Sequence, residues 1–142
     1  MRSNSVSKYL LDASAIYPLL LKLRENFLLY VDRFVVLDLT VYEVGNTIWK
    51  EFRKNRIKDP EAVTKLFEEI FRRVTILRTS SSLYKVVELA IRENITFYEA
   101  SYLYIARINN LKLVTEDSDL LRYPESIDIE QLLKELAEDH KE

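Results

Sequence analysis

Short apolar runs alternate along the chain with longer stretches in which apolar positions recur every three or four residues. The runs predict strands at Tyr9–Leu11, Phe34–Leu37 and Lys112–Val114, with two further strands at 74–77 and 126–128. The helical spacing predicts helices over residues 14–21, 24–31, 40–56, 60–73, 83–91, 97–109 and 129–137. Strands that alternate with helices are typical of parallel sheets covered on both faces. We therefore expect residues 1–142 to form a single three-layer α/β/α domain with a short central parallel sheet.

Composition narrows the class of protein. Hydrophobic residues make up 48% and charged residues 31% of the 142 residues, as in globular proteins with a real core. The formal net charge of −2 predicts no strong global attraction for nucleic acid, although a local basic surface is compatible with it. The chain has no cysteine, which excludes disulfides, thiolate zinc sites and cysteine nucleophiles. Neither a signal segment nor a long apolar span is evident, so we expect a cytoplasmic protein without membrane contact.

Four acidic residues stand where predicted strands end and helices begin. Asp12 closes the first strand and Asp117 follows the strand Lys112–Val114, whereas Glu43 and Glu99 fall in the first turns of predicted helices. The carboxyl ends of parallel strands share one edge with the helix starts beside them, and ligands usually bind at that edge. Carboxylates gathered there repel one another, and Mg²⁺ or Mn²⁺ would offset this repulsion. The pattern predicts a metal-dependent phosphodiester hydrolase.

Each acid also has a structural interpretation when taken alone. Glu43 and Glu99 each end a Thr-x-x-Glu capping box, and Asp117 could cap a short helix over 118–121. Asp12 is the hardest of the four to explain in this way, and separate caps would not predict the joint pattern. Four more acids lie nearby and are expected to be solvated or capping residues: Asp119, Asp38, Glu116 and Asp128. Asp119 is the best candidate among them to join the site.

Four segments of the chain resemble the PIN-domain ribonucleases. They are LLDASA at 10–15, YEVGNTIWK at 42–50, ITFYEASYL at 95–103 and LVTEDSDL at 113–120. No one of these motifs is specific, but together, in this order and spacing, they cover nearly the whole chain. The resemblance implies a PIN-like fold and the toxin component of a VapBC-type toxin–antitoxin pair, a ribonuclease that depends on Mg²⁺ or Mn²⁺.

The resemblance also carries the four acids over, position by position, as the catalytic and metal-binding cluster. Asp12 and Asp117 directly end strands and are the expected direct ligands, while Glu43 and Glu99 would bind through water or orient it. Glu99 stands where the family usually has Asp, so its carboxylate is carried one methylene further out. This departure leaves an alternative function open, an inactive PIN-fold protein that binds protein or RNA.

Several polar residues are candidates for support of the acids or the substrate. The hydroxyls of Ser14 and Thr115 could hydrogen-bond a carboxylate or a substrate phosphate. Asn46, in the segment 42–50, is a further supporting candidate. Tyr98, Tyr102 and Tyr104 lie on one predicted helix, and we expect packing with hydroxyls at the surface rather than base stacking. Lone His140, in a charged segment, is not expected to be a ligand or a base.

The densest basic run has two interpretations. It comprises Lys50, Arg53, Lys54, Arg56 and Lys58, at the end of a predicted helix. Cations at a helix C-terminus are favoured by the helix dipole, which makes a solvated end the default. However, Lys50, Arg53 and Lys54 continue the helix face of Glu43 and could lead an RNA backbone towards the acids.

The expected partners are RNA, a small antitoxin and a second copy of the chain. An antitoxin should mask the acidic edge, with a helix in an apolar groove between residues 14–31 and 60–73. Homodimerisation is implied by the family resemblance alone. Two other enzyme classes fit less well: HAD-type phosphatases need an Asp at position 14, where this chain has Ser14, and receiver domains need paired acids near their first strand.

Overall fold

A computed structural model describes residues 8–79 and 82–140 and shows a five-stranded, wholly parallel sheet. The strands are β1 (Tyr9–Leu11), β2 (Phe34–Leu37), β3 (Thr75–Leu77), β4 (Lys112–Val114) and β5 (Ser126–Ile127). Their order across the sheet is β3-β2-β1-β4-β5, so β1 is central. All five strand predictions are confirmed, with bounds that differ by one residue at β3 and β5.

In the described ranges, seven α-helices connect and flank these strands. They are α1 (Ala13–Leu23), α2 (Asp38–Arg53), α3 (Pro60–Arg73), α4 (Leu83–Glu93), α5 (Phe97–Ile108), α6 (Ser118–Leu121) and α7 (Ile129–His140). A 3₁₀ helix, Arg24–Arg33, follows α1, where we expected a second α-helical segment after a bend. The bend is at Arg24, whose φ of 53° cannot continue a right-handed helix. The N-terminal segment and the side chain of His140 lie outside the described residues.

Alternation along the strands divides the core into two halves. Tyr9 and Leu11 face one side of the sheet, where α1, the 3₁₀ helix, α2, α3 and α7 pack. Leu10 and Leu113 face the other side, against α4, α5 and α6. Successive strand side chains point to opposite faces, so these buried strands need apolar residues at every position. The expected three-layer α/β/α arrangement is confirmed.

The start of α2 differs from the prediction. The helix begins at Asp38, and the Thr40 hydroxyl accepts a hydrogen bond from the Leu37 amide at 3.2 Å. Thr40 is therefore inside the first turn, and Glu43 lies in the second turn. The capping box predicted for Thr40 and Glu43 is wrong, because Thr40 itself satisfies the amide before the helix.

The other predicted caps agree with the structure. In α5, the Thr96 hydroxyl accepts from the Glu99 amide and the Glu99 carboxylate accepts from the Thr96 amide, at 3.0 and 2.9 Å. Asp59 caps α3, and Asp117 caps α6. Within the described part of the chain, no helix is both long and apolar enough to cross a membrane.

Candidate functional site

A small cavity lies at the carboxyl edge of the sheet. Its volume is about 110 Å³, and its walls include all four predicted site acids, Asp12, Glu43, Glu99 and Asp117. The remaining lining residues are Ala13, Ser14, Tyr98, Tyr102 and Leu120. Asp12 directly follows β1, and Asp117 lies in the loop after β4. Glu43 comes from the second turn of α2 and Glu99 from the first turn of α5. Residues far apart in sequence thus meet in one place.

Asp12 is the most enclosed of these acids, with 4% of its surface exposed. Its Oδ1 accepts hydrogen bonds from the Ser14 hydroxyl at 2.6 Å and from the Ala15 amide at 3.1 Å, so it also caps α1. Burial raises the pKa of Asp12 to about 6, although hydrogen bonds from Ser14, Thr115 and Ala15 oppose that rise. The charged form of Asp12 is therefore costly in the metal-free protein.

Two hydroxyls tie the loop after β4 to the start of α1. Ser14 Oγ donates to Asp12, accepts from the Glu116 amide at 2.9 Å and lies 3.3 Å from Thr115 Oγ1. Thr115, fully buried, accepts in turn from the Asp117 amide at 3.0 Å. Ser14 and Thr115 thus hold the backbone that carries Asp117 at a set distance from Asp12.

A series of hydrogen bonds through Tyr102 and Thr40 fixes the position of the Glu43 carboxylate. The Tyr102 hydroxyl donates to Glu43 Oε1 at 2.6 Å and lies 2.6 Å from Thr40 Oγ1. Since Thr40 Oγ1 accepts from the Leu37 amide, its own hydrogen is left for the Tyr102 oxygen. Burial raises the pKa of Glu43, and the Tyr102 hydrogen bond partly offsets this. In this series each donor gives its hydrogen in the direction of Glu43 Oε1, which favours the ionised form of the Glu43 carboxylate.

Sequence reasoning missed this role of Tyr102 and Thr40. We expected the Tyr102 hydroxyl at the surface, but Tyr102 is 3% exposed and its hydroxyl is inside the protein. Its position three residues after Glu99 on α5 was a usable signal, because residues three apart share a helix face. Tyr98, by contrast, is 59% exposed at the cavity wall.

Glu99 and Asp117 form a second, shallower group with Asp119. One carboxylate oxygen from each of the three lies within 4.8 Å of the others. Burial raises the pKa of Glu99, as does the neighbouring Asp117, while the Thr96 amide opposes the rise. The extra methylene of Glu99 does not keep its carboxylate out of the cluster.

The charges of the site are not balanced within the protein. Among residues 8–79 and 82–140, no lysine or arginine forms an ion pair with any of the four cavity acids. Their partners are hydroxyls and amides, which orient carboxylates but do not neutralise them. Several oxygen ligands around a small space suit a hard divalent cation, so the residues present fit Mg²⁺ or Mn²⁺.

The remaining candidates lie outside the cavity. Glu116 Oε2 accepts from the Ile129 amide and Asp128 Oδ1 from the Gln131 amide, so both cap α7, as expected. Asp38 bonds the Leu39 amide. Asn46 is exposed and lines a neighbouring cleft of about 530 Å³ between α1 and α2, which shares Ala13, Ser14 and Glu43 with the acidic cavity.

Comparisons with known proteins agree with this architecture. The PIN domain family model matches residues 9–126. A Pyrobaculum aerophilum protein named exonuclease VapC9 is 37% identical over 131 residues, covering 92% of this chain and 96% of the relative. Ribonuclease VapC3 of the same organism is 31% identical over 120 residues, covering 80% and 92%.

Solved structures give the same result. A crystal structure of a Pyrobaculum aerophilum protein superposes with a TM-score of 0.82 at 36% identity, covering 92% of this chain and 97% of the other. A chain from a Klebsiella pneumoniae toxin–antitoxin complex superposes with a TM-score of 0.61 at 14% identity, covering 84% and 96%, and shows the shared fold. The family match spans most of the chain and includes β1 to β4 and the start of β5, so this chain belongs to the PIN domain family.

Proposed function

We propose that this PIN-domain protein is a metal-dependent endoribonuclease and the toxin of a toxin–antitoxin pair. The observation that carries the proposal is the cavity in which Asp12, Glu43, Glu99 and Asp117 meet without a basic partner in the described chain. The names of the two relatives, a ribonuclease and an exonuclease of the VapC type, support a nuclease.

The acids divide into ligands and supporting groups in this proposal. Asp12 and Asp117 would bind the cation directly, because Asp12 follows β1, Asp117 caps α6 in the loop after β4, and both are held by backbone or hydroxyl contacts. Glu43 and Glu99 would orient water beside it, and Asp119 would add negative charge next to Glu99 and Asp117. A bound divalent cation supplies neutralisation of the phosphodiester charge and makes water more acidic. Ser14 keeps Asp12 in place for this role through its 2.6 Å hydrogen bond.

Cleavage within an RNA chain suits the shape of the site. The acidic cavity adjoins the larger cleft between α1 and α2, because Ala13, Ser14 and Glu43 line both. An RNA chain could therefore lie along the acids without placing its 5′ or 3′ end in the cavity. One relative is named an exonuclease, so the two cleavage modes need an experiment that separates them.

The deciding experiment uses purified protein and a labelled RNA pool with Mg²⁺, Mn²⁺ or EDTA, and Asp12→Asn alongside. We expect metal-dependent cleavage that the variant lacks. Equal cleavage by Asp12→Asn would reveal a contaminating nuclease, and no cleavage with either metal would overturn the proposal. A covalently closed circular RNA separates the two modes, because an endonuclease linearises it and an exonuclease leaves it intact.

Metal binding can be measured apart from activity. Free Mn²⁺, followed by electron paramagnetic resonance, should fall on titration with protein and remain higher with Asp12→Asn. Binding of Mn²⁺ without RNA cleavage would favour the alternative of an inactive binding module. Absence of Mn²⁺ binding would remove the metal from the proposal altogether.

An antitoxin and a second copy complete the proposed assembly. Exposed leucines remain on the expected groove walls, Leu21 and Leu29 on one side and Leu66 on the other.

The most exposed apolar side chains of α4, Tyr84 and Ile91, suit a homodimer interface. Light scattering should give twice the chain mass, reduced by Ile91→Lys. Growth inhibition in the cytoplasm on expression, relieved by a small co-expressed antitoxin, would test the toxin role.

A further inference from the structure

An exposed row of aromatic and polar side chains runs along α2 away from the acidic cavity. It consists of Tyr42, Asn46, Trp49 and Arg53, spaced four, three and four residues apart, so all four share one helix face. Tyr42 is 79% and Trp49 55% exposed, and Arg53 and Asn46 are also exposed. At this exposure Tyr42 buries little of its surface within the chain, and Trp49 buries less than half. We call these four residues the α2 row.

Positive charge accompanies the α2 row. The Arg53 guanidinium carbon lies 5.2 Å from the centre of the Trp49 ring, a cation–π contact. Lys50 and Lys54 stand beside the row, both exposed. Within the described ranges, Lys50, Arg53 and Lys54 form no ion pair. A chain of net charge −2 thus carries a local basic and aromatic strip next to its acidic site.

We propose that the α2 row is a binding surface for single-stranded RNA that extends the substrate beyond the acidic cavity. Bases stack on Trp49 and Tyr42, and phosphates contact Lys50, Arg53 and Lys54. Trp49 follows Glu43 by six residues, about 9 Å along the helix axis. The surface is therefore one or a few nucleotides from the acids. This inference rests on the proposed nuclease function and adds where and how the substrate is held.

Chemistry favours RNA over a protein partner for this strip. Aromatic rings combined with cations are the usual means of holding single strands, because every base has a face that can stack. Lysine is depleted in protein–protein interfaces, particularly in their cores. Arg53 also covers part of the Trp49 ring, leaving a charged edge next to the aromatic face. A single-stranded polyanion with exposed bases matches both features together.

Trp49 makes the proposal directly measurable, because it is the only tryptophan in the chain. Its emission can be recorded while Asp12→Asn protein, which should not cleave, is titrated with a short single-stranded RNA. We expect quenching that saturates together with the binding seen by fluorescence anisotropy of a labelled RNA. An abasic oligomer of equal length should bind through its phosphates but cause little quenching. Saturable RNA binding without any change in Trp49 emission would overturn the proposal.

Variants then separate stacking from charge. Trp49→Ala should weaken single-stranded RNA binding by roughly tenfold, as expected for the loss of one stacked base. Combined substitution of Lys50, Arg53 and Lys54 by Ala should reduce the slope of log Kd against log salt concentration by about two. The matched control replaces three other exposed lysines by Ala, Lys22, Lys85 and Lys134, and should leave both quantities nearly unchanged. Equal effects of the two triple variants would overturn the proposal.

Cleavage assays distinguish this inference from the function on which it rests. If wild-type protein cleaves RNA with metal and Trp49→Ala has an unaltered KM, the nuclease stands and the α2 row proposal fails. If RNA quenches Trp49 but no metal permits cleavage, the nuclease proposal fails and the binding surface stands. Unchanged RNA affinity together with a smaller assembly mass for Trp49→Ala would instead assign the row to a second copy of the chain.

Discussion

The two edges of the parallel sheet both gather acidic residues, but they balance the charge in opposite ways. At the amino edge, Glu135 Oε1 accepts from the Tyr9 hydroxyl at 2.8 Å and from Lys112 Nζ at 2.9 Å. Arg33 pairs with Asp139 at 2.8 Å close by. At the carboxyl edge, the acids of the cavity meet hydroxyls, amides and one another. One edge is neutralised by the chain itself, and the other is left negative.

The pKa values reflect this difference. Burial pushes the pKa of Glu135 up, but hydrogen bonds from Lys112, Gln131 and Tyr9 outweigh burial and lower it. Burial raises the pKa of Asp12 to about 6, and hydrogen bonds from neutral groups do not overcome it. A lowered pKa at the amino edge marks ion pairs that stabilise the fold. Raised values at the carboxyl edge mark charges that the metal-free fold accommodates at a cost, as is common in functional sites.

The strongest way to break the comparison is a matched pair of Asp→Asn variants. Asp12→Asn should reduce RNA cleavage on the order of a thousandfold or more, because a ligand of the site is lost. Asp139→Asn, at the amino edge, should leave cleavage unchanged. Without metal, Asp12→Asn should melt at the same temperature as wild type or higher, since repulsion and desolvation are relieved. A much lower melting temperature would instead assign Asp12 a mainly structural role as the cap of α1.

The contributions of Asp12 and Glu135 to the pH dependence of stability should have opposite signs at the two edges of the sheet. The pKa of Asp12 is about 6 in the fold and 3.8 ordinarily, so its contribution is most favourable below pH 3.8 and is lost as pH rises through 6. The loss amounts to about 3 kcal/mol at most. Glu135 has a lowered pKa, so its contribution is present above its ordinary pKa of 4.5 and is lost only as pH falls through the lower folded value.

Urea unfolding in EDTA between pH 4 and pH 7.5 measures both effects. Asp12→Asn should flatten the decline in stability between pH 4 and 6, whereas Glu135→Gln should lower stability above pH 4.5 and make less difference towards the acid end. Saturating Mn²⁺ should reverse the decline above pH 6, because the metal binds the ionised carboxylates. A decline of the same size in wild type and Asp12→Asn would show that other groups dominate this range.

Two buried tyrosines provide a finer test. Tyr102→Phe removes the hydroxyl that donates to Glu43, and we expect about 10- to 100-fold loss of Mn²⁺ affinity or activity, as for other groups that orient ligands. Tyr9→Phe removes the equivalent hydroxyl from Glu135 and should cost about 1 kcal/mol of stability without affecting cleavage. Similar effects of both variants on cleavage would contradict a specific role for Tyr102.

The smallest expected effect is at Glu99. Glu99→Gln keeps an oxygen that can accept from the Thr96 amide, so α5 should retain its capping box. Its loss of charge should weaken Mn²⁺ binding by several-fold, roughly 1 kcal/mol, since the group is partly exposed and screened by water. Calorimetric titration with Mn²⁺ measures this change. Mn²⁺ affinity equal to that of wild type would remove Glu99 from the metal site.

Local sequence determined the strands, most of the helices and the places of the acids. A buried strand such as Phe34–Leu37 needs a short apolar run, and an acid directly after a parallel strand must lie at its carboxyl edge. These features depend on residues close together in the chain. The pattern of apolar and polar positions therefore determines them before any long-range contact forms.

Only the tertiary structure decided which partners meet at that edge. Tyr102 reaches Glu43 across 59 residues of sequence, and Thr40 joins them because α2 begins earlier than its residues suggested. Helical spacing placed Tyr102 on the face of Glu99, but not the direction of its hydroxyl. The packing of α5 against the sheet beside α2 determines that direction, and with it the balance of hydroxyls and charges around the four acids.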